Sequence, residues 1–188
     1  MKFTTTTTTA ILSLLSLTSA APTANVPRGS GTIRPKVTSQ YTVWTGAVNY
    51  NTPTGLIQKT GRTSDITTLG TFEIPEDARG ATCEVAFSLG SSNVPTGTAT
   101  FDVYTSLAPA SGPSTTWPSG NLRDQYVGRL KAVTGGNAVN VEGLPPVVGH
   151  TFPCPAPGSK LAGELVGAGD QVEIKWDVSF EGPYLRYW

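Results

Sequence analysis

Histidine and methionine each occur once in this 188-residue chain, cysteine occurs twice, and charged residues make up only 14% of it. Each scarcity removes a class of chemistry. A Ser-His-Asp or Cys-His arrangement would have to be built on His150, and no Gly-x-Ser-x-Gly elbow accompanies it. His150 therefore reads as a surface histidine near Cys154. One His, two Cys and no Asp-rich loop offer no metal-ligand spacing, so neither a metal nor another cofactor is expected. Acidic and basic residues balance at 13 each, which gives nucleic acid or an anionic membrane no electrostatic foothold. No apolar run approaches the roughly 20 residues of a bilayer-spanning helix. No Asn-x-Ser/Thr acceptor is present, so N-glycosylation is not expected.

What the chain does have begins at its start. Lys2 carries a positive charge, Ala10-Ile-Leu-Ser-Leu-Leu-Ser-Leu17 is apolar, and Thr18-Ser19-Ala20 offers small residues for a cut. That order predicts a cleavable signal peptide over residues 1–20, and hence a secreted protein, extracellular or held at the cell wall. Loss of Lys2 leaves 12 basic against 13 acidic residues, a formal charge of about −1. The C-terminal Phe180-Glu-Gly-Pro-Tyr-Leu-Arg-Tyr-Trp188 lacks the polar spacer and apolar tail of a lipid-anchor signal. Residues 21–39 are rich in Pro, Thr and Gly and read as a disordered leader. Within them Val26-Pro-Arg-Gly-Ser30 looks like a trypsin-type processing site, although an exposed Arg28 in a flexible tail is the simpler reading. Residues 40–188 are one domain's worth of core.

In an oxidising compartment the default for Cys83 and Cys154 is a disulfide. A reactive or metal-binding thiol pair, the alternative, would want a Cys-x-x-Cys spacing, which the sequence lacks. Around and beyond the cysteines the apolar period is two. In Gln171–Val178, Val172, Ile174, Trp176 and Val178 share one face, and Gln171, Glu173, Lys175 and Asp177 the other. Residues 81–89 repeat the pattern, with Cys83, Val85, Phe87 and Leu89 inward. Cys154 lies between Pro153 and Pro155, which predicts a loop or edge segment stapled onto a core strand. Further strands are expected at Tyr41–Val48, Leu56–Lys59, Leu69–Ile74, Thr98–Thr105, Tyr126–Val133, Ala138–Val141, Lys160–Val166 and Pro183–Tyr187. Gly- and Pro-rich clusters separate them, and no run of ten residues has a helical period. The expectation is an all-β fold, an antiparallel β-sandwich of roughly 8–10 short strands with one disulfide, a barrel being the second choice.

Catalytic candidates are few. A glycoside hydrolase needs two carboxylates about 5–10 Å apart, and Glu84, Asp102, Glu164, Glu173 and Asp177 lie on strands. Glu84, Glu173 and Asp177 fall opposite their strands' apolar residues, as solvated side chains do. Glu164, inside Leu161-Ala-Gly-Glu-Leu-Val166, is the hardest to dismiss. Aromatic residues are the one hint of binding. Trp117 sits in a Pro/Gly/Ser loop, and Tyr184, Tyr187 and Trp188 end the chain, where they would either pack on the sandwich or meet a sugar or protein partner.

The cysteine regions also carry a resemblance. Phe72-Glu-Ile-Pro75 and Gly80-Ala-Thr-Cys-Glu-Val-Ala-Phe-Ser-Leu89 form its first block. Thr151-Phe-Pro-Cys-Pro155, Glu164-Leu165, Gly169-Asp170, Ile174-Lys-Trp176 and Gly182-Pro-Tyr-Leu-Arg186 form its second. Together they resemble the fungal But-two C-terminal domain family, over roughly residues 40–188. The resemblance implies a β-rich domain with Cys83 bonded to Cys154, and it brings no catalytic apparatus. The family is named for binding to a subunit of a ubiquitin-like-activating enzyme, a cytosolic partner that an exported chain would not meet. Ala162-Gly163 departs from the family by standing where bulkier strand residues are usual, which implies different packing near Glu164.

These readings point to a secreted, non-catalytic fungal protein, wall-associated or effector-like. Its partner would be a cell-wall polysaccharide or an extracellular protein, bound through a loop at one end of the sandwich. A carbohydrate-binding module and, behind it, a carboxylate-dependent glycoside hydrolase using Glu164 are the alternatives.

Overall fold

The structure is a computed structural model and describes residues 29–62, 65–110, 112–113 and 122–188. The signal-peptide span, leader residues 21–28 and Trp117 lie outside the described residues.

Alternation of apolar and polar side chains produces strands throughout. They are β1 (Gly31–Ile33), β2 (Val37–Thr42), β3 (Ala47–Asn49), β4 (Thr54–Lys59), β5 (Ile66–Glu73), β6 (Thr82–Ser88) and β7 (Thr96–Gly97). After them come β8 (Thr100–Ser106), β9 (Arg123–Lys131), β10 (Val139–Asn140), β11 (Thr151–Pro153), β12 (Lys160–Gly167), β13 (Val172–Asp177) and β14 (Gly182–Tyr187). A single 3-10 turn, Glu76–Ala78, is the only helical element among the described residues. In β13 the expected faces appear, with Val172, Ile174 and Trp176 buried and Glu173, Lys175 and Asp177 exposed.

All the strand pairs are antiparallel, and they make two sheets. The smaller runs β1-β14-β6-β11; the larger runs β10-β9-β8-β12-β5 and continues through β4, β13 and β7, while the β2–β3 hairpin pairs along β5. Strand β4 joins β5 by a single backbone register pair, Gln58 with Ile66. Beyond it the Thr68 hydroxyl takes over, accepting from Leu56 N at 3.0 Å and donating to Leu56 O at 2.7 Å. A side chain thus replaces ladder bonds where the sheet splays, and the β4–β13 arm curls toward the smaller sheet. Phe87 of β6 closes the contact. Its ring lies 4.8 Å from Phe101 of β8 and 5.2 Å from Trp176 of β13, the latter edge-on at 83°. Each such ring contributes burial worth about 2–3 kcal/mol, and edge-on pairing adds about 1 kcal/mol.

Two expectations need correction. Residues 31–39 are part of the sandwich, not of a disordered leader: β1 pairs with β14 and β2 with β5. The segment hid because β2 carries polar residues in buried positions, Thr38 and Ser39 among them, so its pairing is held by backbone bonds with little apolar signal. Gly31 also has no side chain because Tyr187 occupies the space; a Cβ there would stand 2.8 Å from its hydroxyl. The second correction concerns Tyr41–Val48, which is a hairpin turning at residues 43–46 instead of one strand.

Cys83 and Cys154 are bonded, with Cα atoms 4.9 Å apart and 71 residues between them in sequence. Cys154 follows β11, the edge strand that pairs with β6, and its N–H donates to Ala81 O at 3.0 Å. The prolines that flank Cys154 leave this short strand few ladder bonds, so the covalent link supplies what the backbone does not. Closing a loop of that size stabilises by about 4 kcal/mol at most. The double variant Cys83→Ala/Cys154→Ala is expected to lose a large part of that figure, read as a lower urea midpoint; an unchanged midpoint would show that the bond carries no load.

Candidate functional site

The inner face of the larger sheet borders a gap at a facing pair of glycines. Along β5 and β12, Phe72 stands opposite Leu161, Gly70 opposite Gly163, and Thr68 opposite Leu165. A bare row therefore lies between two rows with side chains. Gly163 is required by a close approach, since a Cβ on it would stand 3.0 Å from Tyr104 O of β8. Gly163 lies on the face of β12 opposite Glu164.

The bare row divides the core. One cluster gathers around Phe87, Phe101 and Trp176, the other around the buried Cys83, and Val85 touches both. Between them lies a cavity of about 400 Å³. Phe72, Leu161 and Leu165 wall it on one side and Val85, Leu185 and Phe152 on the other. Exposed His150, Gln125 and Tyr126 mark its mouth. There β9 slips register against β8 on either side of Tyr104, and such bulges re-aim side chains beside an opening. Sealed and empty, a void of that size would cost about 10 kcal/mol at roughly 24 cal/mol per Å³, as much as a whole domain's stability. Its mouth relieves that cost by admitting solvent or a guest.

The outer face of the same strand pair is polar and closed. Glu164 is completely buried, and both its oxygens are engaged. Arg123 Nε donates to Oε2 at 2.8 Å and Nη2 to Oε1 at 2.9 Å, while Thr67 Oγ1 donates to Oε1 at 2.7 Å. The guanidinium lies 4.8 Å over the Tyr104 ring, and its own pKa is raised, first by the hydrogen bond to Glu164. Nearby Tyr41 is pushed up, chiefly by burial and then by the Glu164 charge.

Other carboxylates are tied in the same way. Arg129 grips Asp102 through both oxygens at 2.7 and 2.9 Å. Glu84 is buried rather than solvated, a correction to its expected place: Arg186 Nη2 donates to both its oxygens at 2.8 Å and Gly149 N donates at 2.7 Å. Burial follows because the segment bearing Gly149 crosses the outer face of β6. Glu173 and Asp177 are exposed as expected. Three of the five candidate carboxylates are thus saturated by guanidinium groups, an arrangement suited to holding strands in place.

The chain-end aromatics divide. Tyr184 is buried, its hydroxyl bonded to Asn137 at 3.1 Å and its ring under Arg34. Tyr187 is buried too, donating to Asp77 Oδ2 at 2.6 Å, whereas Trp188 is half exposed. Among the described residues the most exposed rings are Trp44 in the β2–β3 turn and Phe180 before β14, at 73% and 75%. Sequence reasoning passed over both, because nothing in a turn's composition separates an exposed aromatic from a packed one. The Gly70–Gly163 pair was also missed, since its meaning depends on register. Among the described residues there is no group of three or more His, Cys, Asp or Glu able to hold a metal ion. No helix among them is long and apolar enough to cross a membrane.

Fold and site together define a disulfide-stapled antiparallel β-sandwich with an apolar pocket between its sheets. The family model described as the Ubiquitin 3 binding protein But2 C-terminal domain matches residues 47–181, and the chain belongs to that family. The matched span stops short of β1, β2 and β14, which complete both sheets. No curated protein matches the chain at a significant level.

Two outcomes follow from the polar groups. Arg123→Leu leaves the buried Glu164 carboxylate without its partner, and should cost about 3 kcal/mol, the low end for buried pairs because Arg123 is partly solvated. Arg123→Leu/Glu164→Leu should recover part of that loss in urea unfolding. The second outcome concerns alkali. Tyr187 is raised above its ordinary value, first by the bond to Asp77 and then by burial. The unfolded chain therefore loses this proton first, near pH ~10. Stability from the group is complete below that pH and is lost as pH rises toward the folded value. The urea midpoint of the wild type should fall more steeply above pH ~10 than that of Tyr187→Phe.

Proposed function

We propose that this chain is a secreted binding domain of fungal type that acts by association and not by catalysis. One observation carries the reading: the Cys83–Cys154 bond staples an edge strand to the core, and structural disulfides of this kind persist in oxidising compartments. The signal-like residues 1–20 agree with it. The saturation of Glu164, Glu84 and Asp102 by arginines supports a structural use of the carboxylates that a hydrolase would otherwise need. The partner is an extracellular protein or a cell-wall component, met as a wall-associated or effector-like protein. Stacking on polysaccharide is the weaker form, because Tyr184 and Tyr187 are buried and the exposed Phe180 and Trp188 flank opposite ends of β14. The ubiquitin-related partner in the family's description is not carried over to an exported chain.

Export is tested by expressing the full chain with a C-terminal tag in a fungal host and fractionating medium, wall and cytosol. The expected product starts near Ala21, has no free thiol and lies outside the cell. A full-length cytosolic protein with two free thiols would overturn the proposal.

A further inference from the structure

We infer that the trench between the sheets is a binding site for a hydrocarbon chain with a single polar head, the chemistry of a medium-chain fatty acid. Four observations lead there. The floor is a cross-strand glycine pair, Gly70 against Gly163, in mid-sheet, where glycine weakens a strand and marks a close approach by a ligand or another backbone. The walls on both sides are hydrocarbon: Phe72, Leu161 and Leu165 face Val85, Leu185 and Phe152. The volume, about 400 Å³, falls within the range of small-ligand pockets. Finally, the polar side chains at one end suit a head group. Exposed His150 and Gln125 offer donors there.

Glu164 is the one carboxylate residue in the cavity lining, and its oxygens, turned to the outer face, are taken by Arg123 and Thr67. A head group that accepts hydrogen bonds, a carboxylate or a hydroxyl, finds its donors in His150 and Gln125. The row that floors the trench runs from Thr105 on β8 through Gly163 to Gly70 on β5, two strand spacings or about 10 Å, and its Gly163–Gly70 half carries no side chain, a floor that an extended hydrocarbon chain can follow. Strand β11 closes the top of the trench through Phe152, and the disulfide fixes that strand to β6.

This inference does not rest on export: it concerns the folded, disulfide-bonded domain wherever it acts. The test titrates the purified full chain with decanoate and decanol by calorimetry and by displacement of a fluorescent polyene fatty acid. Saturable one-to-one binding of decanoate is expected, with the melting temperature rising as ligand is added. Val85→Phe fills the trench from the smaller sheet and Leu161→Phe from the larger. Each should weaken decanoate binding at least tenfold without lowering the melting temperature of the free protein. If one variant fails to fold, the other decides. Decanol binding as tightly as decanoate would identify the walls as the main determinant, and decanoate binding more tightly would identify the mouth; both support the site. Absence of saturable binding to the wild type, or wild-type affinity in both folded variants, overturns it.

Discussion

Strands β5 and β12 lie side by side from Glu73–Lys160 to Thr68–Leu165, and the rest of the molecule is organised by what their two faces present. On the inner face Phe72–Leu161 feeds one apolar cluster and Leu165 the other, with the glycine pair between them. Thr68, next in line, holds β4 by its hydroxyl and so sets the curl that brings Trp176 against Phe87. On the outer face the same pair buries Glu164 under Arg123, which reaches over from β9. A register slip of one residue would exchange the faces and drive the carboxylate into the apolar core. The buried ion pair is therefore a device for register as much as a source of stability, consistent with the small net energy that such pairs supply.

The disulfide has a second consequence through β11. Three residues make a poor edge strand, and two of the positions around Cys154 are prolines that donate no hydrogen bond. Without the bond, the place of Phe152 against the core cluster would depend on the three-residue ladder to β6 and on the backbone bonds beside it, from Cys154 N to Ala81 O and from Gly149 N to Glu84. The covalent link thus acts on the same space as the glycine pair: one leaves the trench open at its floor, the other keeps a wall over it. Pocket and staple are coupled parts of one region between the two sheets, through Phe152.

Much of the architecture was legible in residue patterns. The period of two in Gln171–Val178 yields β13 with its faces as read, and the prolines around Cys154 mark an edge segment. Where the reading failed, the missing information was pairing. Val37–Thr42 has hydroxyls and an amide where a core strand has aliphatics, so only its ladder to β5 reveals it. Glu84 alternates with apolar residues as a solvated side chain would, yet a loop 65 residues away covers it and Gly149 N bonds its oxygen. The trench was the least legible. Gly70 and Gly163 lie far apart in sequence, and their meaning emerges only once they stand opposite each other. The oddity of Ala162-Gly163 was visible, but it pointed to the Glu164 face when the consequence lies on the other.

An apolar space bordered by the glycine pair stays open between the sheets. Diffraction from crystals of the full domain pressurised with xenon tests it most directly, because apolar cavities of this kind accept the gas without specific polar contacts. Xenon density is expected between Gly163, Phe72 and Leu185, with the surrounding side chains unmoved. Side chains collapsed across the Gly70–Gly163 row, with no xenon between the sheets, would contradict it.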